Sequence, residues 1–218
     1  MRYLWLLAFL GIVVGLTAVA AASRSTTPLT TDGVREREAS AADVVADAVL
    51  KAGEAQAALL AASQFKTGTV NAGRVATADV TALLVKPERG WVVSNISGEG
   101  LRAALERSLS QAPEESAHFL QVAGLKLEYD PKAPAGHRIT RLTLGGQEVQ
   151  AGTRYRVAMT EDLAKGGSGY FVVPDFNENN IVPGRSGTVE TAVGAFLEAT
   201  PELKYPKPGG PPERIVPT

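Results

Sequence analysis

The chain has 218 residues, with 22 basic and 23 acidic side chains, no cysteine and two histidines. Without cysteine there can be no disulfide, thiolate nucleophile or cysteine-bound metal cluster, and two histidines are too few for a multi-histidine metal centre. A net charge of −1 argues against binding to DNA, RNA or an anionic membrane surface, which requires a basic surplus. The composition therefore predicts a protein with no metal, no cofactor and no nucleic-acid partner.

The N-terminal segment, residues 1–22, has the three parts of a secretory signal peptide. Arg2 supplies a positive start, residues 4–19 are uncharged, and three alanines then offer small residues for cleavage. The alternative is an uncleaved membrane anchor, although a spanning helix needs about 20 apolar residues. Either interpretation predicts an exported protein, periplasmic or extracellular, that contacts the membrane only through this segment. The Ser-, Thr-, Pro- and Gly-rich residues 23–34 are predicted to form a linker.

Three helices are predicted from apolar residues that recur every three or four positions. The first begins at Ser40, the clearest follows the capping residue Ser97, and the last begins near Thr188. Residues 55–62 form either an alanine-rich helix or a buried run, and residues 77–85 are a short helix candidate.

Strands are predicted where apolar residues alternate with polar ones or cluster between turn residues. They are residues 91–96, 125–129, 140–144, 155–159 and 170–173. The Pro- and Gly-rich residues 206–218 are expected to follow the surface without regular structure. The order of predicted elements is helices first, strands in the middle and a helix last. This order predicts a single α+β domain over residues 35–205, with a mixed sheet and flanking helices.

Four stretches of the chain carry a resemblance to a known family. They are residues 37–49, 97–106, 119–131 and 155–170, and the most specific sequences among them are FLQVAGLKLEYDP and YRVAMT followed by LAKGGSGY. In order and spacing they resemble the C-terminal, substrate-recognition domain of the 5′-nucleotidase and UDP-sugar hydrolase family. The resemblance extends over residues 35–215.

The resemblance implies that a nucleoside base is held between two aromatic rings, at Phe119 and Tyr170. Stacking on a ring contributes about 1–3 kcal/mol and does not demand a particular base edge. The alternative is that both rings are simply core residues. The loop before Tyr170 is also implied to face the ligand, because its glycines let a ligand approach the backbone closely. The residues of that loop are Gly166, Gly167, Ser168 and Gly169.

The chain departs from the family in the residues that handle metal ions and phosphate. The family's metallophosphoesterase half binds two metal ions through histidine-containing motifs, and neither His118 nor His137 lies in such a motif. Where the family has an asparagine and an arginine after the second helix, Lys66 is the cation, a point charge without the arginine fork. Ser168 replaces the aspartate of the family's glycine loop. The chain alone is therefore not expected to hydrolyse nucleotides.

Three functions remain open on the sequence. The chain is a recognition module with a cleft for a nucleoside or nucleotide; or it is the detached half of a split nucleotidase that works with a separate metallophosphoesterase chain in nucleotide catabolism. In the third, the site has decayed and the domain serves as an envelope-associated interaction module.

Overall fold

The computed structural model describes residues 23–218, which form fourteen strands and five α-helices. The helices are α1 (Ser40–Ala52), α2 (Thr77–Thr81), α3 (Gly98–Ser108), α4 (Glu161–Ala164) and α5 (Val189–Ala199). The strands are β1 (Ser23–Ser25), β2 (Leu29–Thr30), β3 (Ala57–Ala61), β4 (Thr69–Val70), β5 (Gly73–Val75), β6 (Gly90–Ser97), β7 (Leu120–Ala123), β8 (Leu125–Tyr129), β9 (Ile139–Leu144), β10 (Gln147–Glu148), β11 (Arg154–Thr160), β12 (Ile181–Thr188), β13 (Glu202–Leu203) and β14 (Ile215–Pro217). This is the α+β arrangement with mixed sheets that the sequence predicts, and the fold class is confirmed.

A five-stranded mixed sheet, in the order β12–β6–β11–β3–β7, forms the centre of the domain. Its strands β3 and β11 run parallel, and the other neighbouring pairs run antiparallel. All five residues of β3 are buried, because the strand has a partner on each side and α1 covers its face. The segment that the sequence predicts as either a helix or a buried run is therefore a buried strand over Ala57–Ala61.

Helix α1 lies between the central sheet and α5 and is buried on most of its circumference. Its valines Val44, Val45 and Val49 are removed from water, which stabilises the fold by about 1.5–3 kcal/mol for each side chain. Ser40 does not cap this helix, because its Oγ accepts a hydrogen bond from the Thr30 backbone N–H at 3.0 Å. The cap predicted at Ser97 is formed, and Thr188 caps α5 in the same way, each accepting a hydrogen bond from the N–H three residues on.

The second sheet has the order β10–β9–β8–β14 and contains the C-terminal end of the chain. Its hairpin turns at Gly145 and Gly146, whose φ values of 57° and 83° are those that a tight hairpin turn requires. Strand β14 runs parallel to β8, so the expectation that the tail has no regular structure is wrong for its last residues. The irregular part is residues 206–212, where proline and glycine prevent regular pairing. The expected strand at 170–173 is instead a turn.

Residues 23–34 belong to the domain and are not a linker. Strand β1 pairs with both β13 and β5, and β2 pairs with β4. Leu29 is fully buried, and the Ser23 hydroxyl donates to the Leu197 carbonyl at 2.8 Å. The polar composition misleads here because Ser and Thr hydroxyls find carbonyl partners inside the fold. The predicted signal peptide or anchor, residues 1–22, lies outside the described residues. Over residues 23–218 no helix has the length and hydrophobicity to cross a membrane.

Candidate functional site

Two loops and the start of a strand meet at one edge of the central sheet. Strands β3 and β11 both end there, leading into residues 62–68 and 161–173 respectively. Strand β7 begins at the same edge, where Leu120 pairs with Ala61. Ligands of α/β sheets bind outside the carboxyl ends of such parallel strands. All sequence-predicted site residues lie on this edge: Lys66, Phe119, Gly166, Gly167, Ser168, Gly169 and Tyr170.

Phe119 and Tyr170 lie close to each other but inside the protein. Their exposed fractions are 2 % and 0 %. The Tyr170 hydroxyl donates to the His118 carbonyl at 2.6 Å, and its ring stacks on Phe176 with centroids 5.7 Å apart. Burial raises the pKa of the Tyr170 phenol well above its usual range, so the group stays neutral. Neither ring offers an open face to a base, and the geometry is the one expected of core residues.

The glycine loop after α4 is shaped by contacts within the chain. A side chain at Gly167 would overlap the Asp162 carboxylate and carbonyl, and one at Gly166 would overlap the backbone of Phe171. Ser168 has a φ of 54°, and its carbonyl lies 2.7 Å from His118 Nδ1. The glycines are therefore required by close packing of the loop on itself. The idea that they leave room for a ligand does not describe this conformation.

The exposed aromatic ring of this edge is Phe171, which the sequence-based interpretation missed. Its exposed fraction is 78 %, and that of its neighbour Val172 is 57 %. A tight turn follows Tyr170, so consecutive side chains point in different directions. The sequence signal that could have revealed it is the pair of adjacent aromatic residues after a glycine-rich stretch. Only one of two such neighbours can enter the core, so the other is left exposed.

The loops that follow β3 and β11 contact each other directly. The hydroxyl oxygens of Ser63 and Ser168 lie 3.4 Å apart. Lys66 is exposed, and its Nζ reaches the Ala82 carbonyl at 3.4 Å. Among residues 23–218 it makes no salt bridge, which leaves its charge available to an anion.

A shallow pocket of about 380 Å³ opens beside this loop pair. Its walls are Lys86, Arg89, Gly90, Glu161, Asp162 and Lys165. Arg89 lies 3.5 Å from Asp162, and Lys165 lies 2.9 Å from Glu161. These pairs are exposed to water and screened, so each contributes little to stability and can rearrange around a charged ligand.

Acidic side chains and histidines do not gather into a metal site in the part of the chain that the structure describes. Within residues 23–218 no group of three or more His, Cys, Asp and Glu side chains is arranged to hold a metal ion. His118 is engaged with the glycine loop through its Nδ1.

Comparison with known proteins gives the family. Residues 13–175 match the family model described as 5′-nucleotidase, C-terminal domain. The chain belongs to this family. The trifunctional nucleotide phosphoesterase YfkN of Bacillus subtilis is 32% identical over 149 residues, which is 64% of this chain and 10% of that protein. The snake venom 5′-nucleotidase of Naja atra is 29% identical over 119 residues, 50% of this chain and 22% of the venom protein.

Solved structures share the fold of this family domain. A 5′-nucleotidase precursor from Thermus thermophilus superimposes with a TM-score of 0.75 at 22% identity, covering 90% of this chain and 39% of that one. The NAD nucleotidase of Haemophilus influenzae gives a TM-score of 0.70 at 14% identity, covering 90% and 38% of the two chains. The domain therefore spans less than half the length of the relatives that it matches, and at these identities the structural likeness shows the fold alone.

Proposed function

We propose that this domain recognises a nucleoside or nucleotide, without hydrolysing it alone, at the edge where β3 and β11 end. The observation that carries this proposal is the convergence of two loops at the carboxyl ends of the parallel pair, with Phe171 exposed on one of them. Ligands of related sheet architectures bind at such edges. The names of the relatives point to nucleotides as the ligand class.

Phe171 is the residue that would stack on the base, in place of Phe119 and Tyr170. Its ring is mostly in water, so a flat base can cover it without disturbing the core. Covering such a ring contributes about 1–3 kcal/mol and selects for no particular base. Lys66, on the neighbouring loop, supplies a positive charge for the phosphate of a nucleotide.

Catalysis would come from a metallophosphoesterase unit outside these residues. The chain has two histidines, and the family's histidine-containing metal motifs do not occur in it. The domain would then act as the recognition half of a split nucleotidase in nucleotide catabolism. Export through residues 1–22 would place that work in the periplasm or outside the cell. The intact mass of the protein recovered from the periplasm or medium tests export, because a removed signal peptide shortens the chain by 22 residues.

Calorimetric titration of the full chain with adenosine and AMP tests the binding proposal. We expect both ligands to bind weakly. Phe171→Ala should raise both dissociation constants at least about fivefold, because it removes the stacking ring. Val172→Ala is the matched control, since it removes a neighbouring exposed apolar side chain and should leave both affinities unchanged. Lys66→Ala should lower the affinity for AMP but not the affinity for adenosine. Heats equal to those of buffer at millimolar ligand, or equal affinity in Phe171→Ala, would overturn the proposal.

A second candidate function is that of an interaction module, favoured by the burial of Phe119 and Tyr170. Adjacent exposed apolar residues such as Phe171 and Val172 also suit a protein contact. In that case Phe171→Ala and Val172→Ala would both weaken association with an exported metallophosphoesterase, and neither would change nucleotide binding.

A further inference from the structure

A cluster of three carboxyl groups lies beneath the C-terminal tail, away from the edge described above. It consists of Glu38, Asp43 and Asp47, at the start of α1 and just before it. Asp43 has an exposed fraction of 0 %, and the Glu38 side chain is 4% exposed. Carboxylates are rarely buried to this extent without full pairing, because an isolated charge in the interior is strongly destabilising.

The tail supplies the partners of two of these carboxyl groups. Arg214 forms a bidentate pair with Asp47, at 3.0 Å and 2.8 Å, and the Tyr205 hydroxyl also donates to Asp47 at 2.8 Å. One oxygen of Glu38 accepts the backbone N–H groups of Glu213 and Arg214, at 2.7 Å and 2.8 Å. The acidic cluster is therefore the anchor of the tail.

Asp43 is left without a hydrogen-bond donor. Neither of its carboxyl oxygens has a partner, and nor does the second oxygen of Glu38. The nearest atom of the Arg214 guanidinium is 3.6 Å from Asp43 and 3.7 Å from Glu38, too far for a hydrogen bond. One guanidinium thus faces two buried carboxyl groups and the partly exposed Asp47, which would leave two uncompensated negative charges if all were ionised.

A single proton relieves both problems, since it lowers the uncompensated charge from two to one and supplies a donor between the two unpartnered groups. Burial raises the pKa of Asp43 to about 8; the Arg214 charge opposes this shift, and the Glu38 and Asp47 charges add to it.

We propose that Asp43 is protonated when the tail is docked and donates to Glu38, so that docking of residues 205–217 weakens as the pH rises. A cavity of about 180 Å³ lies between the start of α1 and residues 206–212, so this part of the tail is not closely packed on the helix. The charged and titratable groups that face the pair or line the cavity are Arg214, Asp47, Tyr205, Asp32, Arg37, Tyr129 and Lys207.

The sign of the effect follows from proton linkage. Once the tail has lifted, Asp43 is in water and its pKa falls to about 4. Lifting therefore releases a proton between about pH 4 and the docked value of about 8. Over that interval the ratio of lifted to docked tail rises by up to about tenfold for each pH unit. The ratio levels off at higher pH.

Hydrogen exchange of the full chain from pH 5 to pH 9, corrected for the intrinsic exchange rate, measures this equilibrium at the amides of β14. We expect the opening constant to rise about tenfold per pH unit and to level off above about pH 8. Asp43→Asn carries an amide that cannot ionise but still donates to Glu38, and its profile should be flat. Asp32→Asn, an exposed acid of the same cavity, is the matched control and should keep the wild-type slope.

A flat profile for the wild-type chain would overturn the proposal, as would a wild-type slope in Asp43→Asn. If the variant does not fold, the carbon-13 NMR signal of the Asp43 carboxyl in the wild-type chain decides the question. If that signal changes over the same pH range as the opening constant at β14, the proposal is supported. If the signal titrates near pH 4, the proposal is overturned.

Discussion

Tyr170 donates its hydroxyl hydrogen to the main-chain oxygen of His118 at 2.6 Å, which fastens the glycine loop to the segment that enters β7. The bond holds the Tyr170 ring inside the protein, where Phe119 is buried as well. The loop is closed over its own aromatic side chain, and Phe171 is displaced to the outside. The part of the site available to a ligand is therefore the outer surface of the loop.

The Tyr170 hydroxyl is expected to contribute to stability and not to ligand binding. Tyr170→Phe removes one buried hydrogen bond and leaves the His118 carbonyl without its donor, so the free energy of unfolding should fall by about 1–3 kcal/mol. Urea denaturation measures this change, and AMP affinity should stay at the wild-type value. A loss of AMP affinity without a loss of stability would show that Tyr170 contacts the ligand.

Gly167 should tolerate no side chain. Because a methyl group there would overlap Asp162, Gly167→Ala is expected to destabilise the domain by about 1–3 kcal/mol. Gly152 has open space around the corresponding position, so Gly152→Ala serves as the matched control and should change the melting temperature little. Equal melting temperatures for the two variants would contradict the packing seen in the loop.

Arg214 should be among the side chains that matter most for stability. Arg214→Met removes the cation that pairs with Asp47 and faces Asp43 and Glu38, and it is expected to lower the free energy of unfolding by about 3–5 kcal/mol. Arg141, which pairs with Glu148 on the exposed surface, is the control, and its replacement by methionine should have little effect. Thermal denaturation of both variants makes the comparison.

Global stability should also depend on Asp43. Its pKa is about 8 in the folded chain and about 4 when unfolded, so the folded state holds an extra proton between these values. The free energy of unfolding should therefore fall as the pH rises through this interval, by up to about 1.4 kcal/mol per pH unit for this group. Denaturation of wild type and Asp43→Asn at several pH values isolates the contribution, and a difference independent of pH would contradict it.

Local sequence patterns predict those helices and turns whose conformation depends mainly on their own residues. Helix α3 follows from its apolar period and the Ser97 cap, and the turn at Gly145 follows from the glycine pair. Residues 57–61 could not be assigned, because a fully buried strand and a buried helix both give continuous apolar sequence. Strand pairing with β11 and β7 decides that case, and pairing is a property of the whole fold.

The remaining differences arise from contacts between distant parts of the chain. Leu29 is buried because β2 pairs with β4, and composition alone cannot reveal that pairing. β14 forms because it pairs with β8, and Glu38 holds the residues just before it through backbone N–H groups about 175 residues later in the chain. In the candidate site, the motifs select residues that lie together at one edge of the sheet. They cannot say which of Tyr170 and Phe171 faces water, since that depends on how the loop closes.

The most direct test of nucleotide recognition is a titration of the isotopically labelled full chain with AMP, followed by backbone NMR. We expect the amide signals of residues 62–68 and 161–173 to move together along one binding curve, and the same titration of Phe171→Ala to move them far less. Saturable shifts confined to another surface, or no shifts at millimolar AMP, would contradict the assignment of ligand recognition to this edge.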